Sequence, residues 1–404
     1  MSVSFIAKFK LQRKPLVTKN VFYCGVGEAT MKILFMVHRY PPSIGGTQIL
    51  AYNIVQGLRK KGHFVTVYTS AHLNQPDFEV REGTIIRRFK LKPHFLSRFL
   101  KHPRYITPKM FPCLLSSDVQ DVDIIHGFGY CTFQSLLAVT IGKLRNTPCL
   151  LTPQYHPWGT IYANTAGIKV IKSANKIIAQ CESEFKALSR YIKESKIQKI
   201  PTGIDSSRFL NLPEHNLKEK FELQNENIIL SVGKLASHKG TDTLIKAISK
   251  LRHQFKADVK CLLIGGGERI SEYKILAKRL GIEDTVIFMG RVDSKTLLEA
   301  YALADVFVLP SLHESFGITL VEAAACGKPI VSTRVGVAFD IIKEDDTGFF
   351  CNHSDPDDLA KKIIKVIKDD RFSENARDYR NSVLADYDWS NVFDKTEEIY
   401  SSVL

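Results

Sequence analysis

No apolar run in this sequence approaches the roughly 18 residues that a membrane-spanning helix requires. The first thirty residues carry scattered basic groups but no apolar core of the secretory type. Eight cysteines occur singly between Cys24 and Cys351, none in a CxxC pair. That pattern supplies neither a disulfide framework nor a metal cluster and fits buried free thiols in a reducing compartment. No segment repeats and none is of low complexity. No nucleic-acid-binding motif is present, and no serine or cysteine stands in a pattern that would activate it as a nucleophile. What remains is 404 residues, 44% hydrophobic and 24% charged, a globular composition with enough chain for two domains. The stretch MKILFMVHRYPP from Met31 reads as the natural opening of a first strand. Met31 is therefore expected to be the true start, or residues 1–30 a disordered extension.

The net charge of +14 is unevenly placed. Residues 31–205 hold 24 basic and 10 acidic side chains, whereas residues 206–404 hold 27 and 31. Between Gly83 and Ser117 lie eight Lys and Arg, several aromatics and no Asp or Glu. Such a stretch draws in something anionic, either lipid headgroups or polyphosphates.

Strand and helix alternate along the chain. Short apolar runs at Ile33–Val37, Phe64–Thr69, Val122–His126, Cys149–Thr152, Lys176–Ala179 and Gln198–Ile200 predict strands, with helices at Thr47–Lys60 and Thr132–Leu144. After PTGID at 201–205 the pattern restarts. Strands are expected at Ile228–Val232, Lys260–Ile264, Val286–Met289, Val306–Leu309 and Ile330–Thr333, with helices between them. This alternation implies parallel sheets covered on both faces. The expected architecture is α/β: two doubly wound Rossmann-like domains, 31–205 and 206–388, facing across a cleft. A C-terminal helix over 389–404 is expected to cross back to the first. Ligands of such folds bind at the carboxyl ends of the strands, in the cleft.

HESFGITLVEAAACGKP, at 313–329, places Glu314 before a helix and Glu322 inside it. The first N–H groups of a helix lack internal partners and carry partial positive charge, so a diphosphate sits there naturally. Gly317 admits close approach to the backbone. Glu314 suits sugar hydroxyls, and Glu322 suits the vicinal diol of a ribose because a carboxylate offers two acceptor oxygens. In SVGKLASHKG, Lys234 and Lys239 lie in a strand-to-helix loop beside Gly233 and Gly240, where two cations can neutralise a departing diphosphate. CLLIGGGERI is neither GxGxxG nor a P-loop. Its Gly266 and the Gly290–Arg291 pair of FMGRV are read as framing a base. In the first half, Gly45–Gly46 precede a helix, and LLTPQYHPWGT sets Gln154, Tyr155, His156 and Trp158 just past a strand end.

Together GGTQ, PTGID, GKLASHKG, IGGGE, FMGR and the full E-x7-E motif of Glu314 and Glu322 resemble the family 4 glycosyltransferases, from Met31 to roughly Trp389. The resemblance implies the GT-B fold, with an acceptor-binding first domain and a nucleotide-sugar-binding second. It implies a hexosyltransferase that retains the anomeric configuration, needs no metal or other cofactor, and works on a nucleotide diphosphate sugar. Residue by residue it makes Glu314 the donor-sugar contact and Glu322 the ribose contact. Lys239 becomes the phosphate lysine, and the backbone of Phe316, Gly317, Ile318 and Thr319 the diphosphate cradle. Gly46, Gly233, Lys234, Gly266 and Arg291 complete the donor side. Lys234 stands where an Arg is usual, keeping the charge but losing the fork. Thr202 replaces the usual hinge Asn. The family's Thr-x-His reads Thr152-Pro153-Gln154 here, so either His156 takes the catalytic histidine role or Gln154 substitutes as a neutral hydrogen-bonding group. Gln154 and Tyr155 fall on the acceptor side. The implied acceptor is a lipid-linked sugar or an envelope glycan or glycolipid precursor. The basic stretch 83–117 implies a cytoplasmic protein peripheral at the inner face of an anionic membrane. The rival readings are a nucleotide-sugar epimerase or hydrolase of the same architecture, and an inactive GT-B binding protein.

Overall fold

The computed structural model describes residues 31–43, 45–71, 75–90, 92–93, 105–106, 119, 121–130, 132–155, 165–213 and 216–404. Its first half runs β1 (Lys32–Val37), α1 (Gly46–Lys60), β2 (Phe64–Ala71), β3 (Phe78–Arg81), β4 (Thr84–Lys90), a short pair β5 (Lys92–Pro93) and β6 (Tyr105–Ile106), then β7 (Ile124–Phe128), α2 (Phe133–Arg145), β8 (Cys149–Thr152), α3 (Thr165–Lys172), β9 (Lys176–Ala179), α4 (Glu182–Ser189) and β10 (Ile197–Lys199). The short helices α5 (Ser207–Leu210) and α6 (Asn216–Lys220) lead to the second half. There β11 (Asn227–Val232), α7 (Thr241–His253), β12 (Val259–Ile264), α8 (Ile270–Arg279), β13 (Val286–Gly290), α9 (Ser294–Leu303), β14 (Val306–Leu309), α10 (Ile318–Ala325), β15 (Ile330–Thr333), α11 (Ala338–Ile341), β16 (Gly348–Cys351), α12 (Pro356–Ile367), α13 (Arg371–Tyr387) and α14 (Trp389–Ser401) follow.

Two sheets result. The first has the order β10-β9-β8-β7-β1-β2-β4-β3 and the second β13-β12-β11-β14-β15-β16. Every pairing in the second sheet is parallel. Strands β7, β8, β14, β15 and β16 are buried at every position, because helices cover both faces of their sheets. In the second sheet the order reverses between β11 and β14, so the crevice for a ligand opens at their carboxyl ends. The five described cysteines, Cys149, Cys181, Cys261, Cys326 and Cys351, are free and buried.

The architecture departs from expectation in two places. The strand series does not end at Thr333, since β16 adds a sixth strand to the second sheet. And β3 runs antiparallel to β4 in a hairpin turned by Glu82 and Gly83, both at positive φ. Residues 84–90, read as the start of a basic stretch, thus form an inner strand of the first sheet. Arg88 is buried there and pairs with Glu79 at 2.6 Å and with the carbonyl of Pro41 at 3.0 Å. It belongs to the fold rather than to an anion-attracting surface.

The chain passes between the sheets twice, side by side. Ile204 donates its N–H to the Tyr387 carbonyl at 2.7 Å, and Trp389 donates back to the Ile204 carbonyl at 3.2 Å. Helix α14 then packs on the first sheet, with Val392, Ile399 and Tyr400 in one core with Ile33, Phe35 and Ile54. Lys61 bridges Asp394 and Glu397, both at 2.6 Å. In the core, the Tyr400 hydroxyl meets His126 Nδ1 at 2.6 Å and His126 Nε2 meets Thr152 Oγ1 at 2.8 Å. Burial drops His126 to about 3, so the ring is neutral and relays one hydrogen bond to the next. Replacing Tyr400 by Phe orphans a ring nitrogen with no access to water. Tyr400→Phe is expected to cost about 1–3 kcal/mol, read as a lower guanidinium midpoint at unchanged slope.

Candidate active site

Backbone contact between loops sets the donor side. Gly240 has φ 66°, and a Cβ there would lie 2.0 Å from the Pro310 carbonyl. The N–H of Leu312 donates to the His238 carbonyl at 2.8 Å. This approach brings Lys239 Nζ to 2.6 Å from Glu314 Oε1, which also accepts from Ser311 Oγ at 2.7 Å. Ser311 is fully buried, and its carbonyl is held in turn by the Thr333 hydroxyl. His238 stacks on His313 with ring centroids 5.1 Å apart. Burial, then Lys239 and His313, lowers the His238 pKa. Lys234 does not join this pair. It reaches Glu268 at 3.2 Å, both ends being exposed.

Helix α10 starts at Ile318, with Ser315–Gly317 between it and Glu314. Its N-cap is Gly317 at φ 88°, so no side chain caps the first N–H groups and no acid lies in its first turn. The terminus is left for a ligand. Phe316 turns its ring into the core toward Tyr387, leaving only its backbone at the site. One turn on, Glu322 takes a hydrogen bond from the Tyr301 hydroxyl at 2.8 Å. Burial raises the Glu322 pKa, while Tyr301 and Arg208 pull it down. A cavity of about 680 Å³ opens on Glu322 and Ile318, across from Gly46 at the start of α1, and is walled by Thr202, Gly203, Arg208 and Trp389. Gly266 lies under Arg291, whose Nε would be 3.1 Å from a Cβ there. The flanking glycines of the triplet have a packing role. A Cβ on Gly265 or Gly267 would strike the carbonyls of Gly233 and Leu235.

A second cavity, about 270 Å³, lies at the carboxyl ends of β1, β7 and β8. His38, Arg39, Thr47, Tyr130, Thr132 and Gln154 line it from the first half, and Ser315 from the second. Gln154 sits at φ 54°, its Oε1 accepting from the Thr47 hydroxyl at 2.6 Å. Tyr155 does not face this cavity. Its ring is buried edge-on to Tyr130 at 5.0 Å. His156 and Trp158 lie outside the described residues.

Sequence reasoning missed Ser311, Tyr301, Arg208 and, in the first half, Glu184. The carboxylate of Glu184, 1% exposed, accepts the N–H of Tyr155 at 2.6 Å and of Gln180 at 2.8 Å. It ties the loop carrying Gln154 to the start of α4. The signal was present: Glu184 falls three and four residues before the buried Ala187 and Leu188, on the apolar face of its helix.

Two sheets covered by helices, with carboxylates on either side of an open helix terminus, form the arrangement expected of the GT-B fold. A profile described as "Glycosyltransferase Family 4" matches residues 44–208, and one described as "Glycosyl transferases group 1" matches 214–382. The chain belongs to the family 4 glycosyltransferases. It is 28% identical to an uncharacterized glycosyltransferase of Methanocaldococcus jannaschii, over 92% of this chain and 98% of that one. It is 26% identical to the N-acetyl-alpha-D-glucosaminyl L-malate synthase of Bacillus anthracis, over 93% and 98%. The fold is similar to that of Anabaena HepE, solved in complex with UDP, with a TM-score of 0.74 at 20% identity over 92% of this chain and 100% of that one.

Burial pushes Glu184 up to about 7 against the pull of its N–H donors. Its folded value lies above its unfolded value of 4.5, so its contribution to stability is full below pH 4.5 and is lost as pH rises through about 7. The melting temperature is therefore expected to fall between pH 5 and pH 8 more steeply in the wild type than in Glu184→Gln. Equal slopes would show that Glu184 stays ionised throughout.

Proposed function

We propose that this glycosyltransferase retains anomeric configuration, works without metal, and moves a hexose from a nucleotide diphosphate sugar to an acceptor. In this reading residues 206–388 hold the donor, residues 31–205 the acceptor, and 389–404 tie the two. The observation that carries it is the uncapped terminus of α10, with Glu314 and Lys239 on one side and Glu322 on the other. The diphosphate takes the terminus and Lys239, the ribose diol takes Glu322, and the sugar hydroxyls take Glu314. The UDP bound by HepE and the acetylglucosaminyl transfer named for the Bacillus anthracis enzyme agree with such a donor. The bond from the anomeric carbon to the diphosphate oxygen breaks through an oxocarbenium-like state. The acceptor oxygen bonds the same face, and its proton passes to the departing diphosphate. Lys239 and the helix dipole stabilise the charge that develops there, with no reorganisation at the moment of reaction.

Calorimetric titration with nucleotide diphosphates and nucleotide sugars, in EDTA, tests this. One nucleoside diphosphate is expected to bind, at least about tenfold more weakly in Glu322→Ala, an effect of about 1.4 kcal/mol. The product's anomeric signals in NMR should match the donor's configuration. No binding to any member, or loss of binding in EDTA, would overturn the corresponding claim.

The acceptor is proposed to be lipid-linked and reached at an anionic membrane surface. No helix among the described residues is long and apolar enough to cross a membrane. By register, Phe64, Ile85, Val80 and Phe78 fall on one face of β2, β4 and β3, where they are 37–51% exposed. Arg87 lies on the same face, over the Phe78 ring at 5.9 Å. An apolar face edged by cations suits the headgroup boundary. At low salt, Arg87→Glu combined with Lys90→Glu is expected to lower binding to phosphatidylserine vesicles about tenfold. Arg88 is left intact because its buried ion pair holds the strand. Unchanged binding would remove the membrane claim.

A further inference from the structure

The cavity between the carboxyl ends of β1, β7 and β8 has a definite chemical bias. Arg39 is exposed into it and makes no ion pair or hydrogen bond among the described residues. Its neighbour His38 meets Ser70 Oγ through Nδ1 at 3.3 Å, and that hydroxyl already accepts from Gln134 Nε2 at 2.9 Å. Gln154 has its Oε1 occupied by Thr47, so its amide N–H groups are the part left to donate. Among the described residues no carboxylate lines the space. Helices α1 and α2 both begin at its rim without an acid in their first turns. The lining is rich in donors and poor in acceptors.

Resting on the transferase reading above, we infer that Arg39 is the residue that selects the acceptor by binding an oxyanion on its head group, a phosphate monoester or a carboxylate. The volume, about 270 Å³, lies just below the range of roughly 300–1,000 Å³ for whole-ligand pockets and suits one small head group. Ser315, immediately after Glu314, closes the far side. An acceptor anchored at Arg39 thereby presents its hydroxyls toward the donor sugar. The guanidinium fork matches either oxyanion bidentately, which an ammonium cannot do.

Glycerol, glycerate and glycerol 3-phosphate, alike except for charge, are the probes. Each is titrated into the full chain carrying Lys239→Ala, so that the diphosphate lysine does not contribute. At least one of the two anions is expected to bind, with glycerol silent. Adding Arg39→Ala should weaken it tenfold or more, and Arg39→Lys should restore part. The tighter anion identifies the group as phosphate or carboxylate. Binding of neither anion, or equal binding after Arg39→Ala, overturns the inference. The two readings fail separately. Nucleotide binding without an Arg39-dependent anion site removes only this inference. An Arg39-dependent anion site without nucleotide binding removes only the donor assignment.

Discussion

The geometry of the cleft depends on two strands of chain that cross it together. Ile204 exchanges backbone hydrogen bonds with Tyr387 and Trp389, and the Trp389 ring lies against Gly203 so closely that a Cβ there would be 2.5 Å from it. A single connection would let the sheets swivel about every soft dihedral. Two connections bonded to each other leave one axis. The cavity at Glu322 is walled by Gly203, Ile204 and Trp389 of this crossover, so that side of the site sits at the pivot, where displacement is smallest. The Gln154 cavity, which borrows Ser315 from the opposite half, changes shape whenever the halves move.

Polar contacts also join the two halves, beside the crossover at Tyr387. Lys199 reaches both Glu182 at 3.0 Å and Asp340 at 2.9 Å, and Asp340 also accepts the Glu182 N–H at 2.9 Å. Partly exposed ion pairs of this kind contribute little net stability. The apolar packing of α14 on the first sheet is the firmer attachment.

Much of this was legible in the sequence, for identifiable reasons. Strands such as Cys149–Thr152 and Val306–Leu309 are buried on both faces, so they read as short unbroken apolar runs, and their bounds agree with expectation. Strand β4 was hidden because half of its residues are basic or polar, and its buried Arg88 is neutralised by Glu79, a partner on another strand. Lys239 and Glu314 were both read as site residues from their strand-to-helix loops, but their ion pair with each other appears only in the fold. Lys234 turns to Glu268 because that carboxylate, after the glycine triplet, is nearer, a matter of local loop path that no spacing rule encodes. Ser311 and Tyr301 act on the two glutamates from other segments, and their roles exist only once the chain is folded.

Helix α14 is the last element of the chain, yet it completes the core of the first sheet, together with residues made more than three hundred positions earlier. A ribosome therefore releases the second sheet's strands before the first can close its apolar face. Until the final turn of α14 is out, Ile33, Phe35 and Ile54 have no lid and His126 lacks its tyrosine. Folding order runs against chain order in this protein, and a message cut short before α14 yields a nascent chain whose earlier half is the part left sticky.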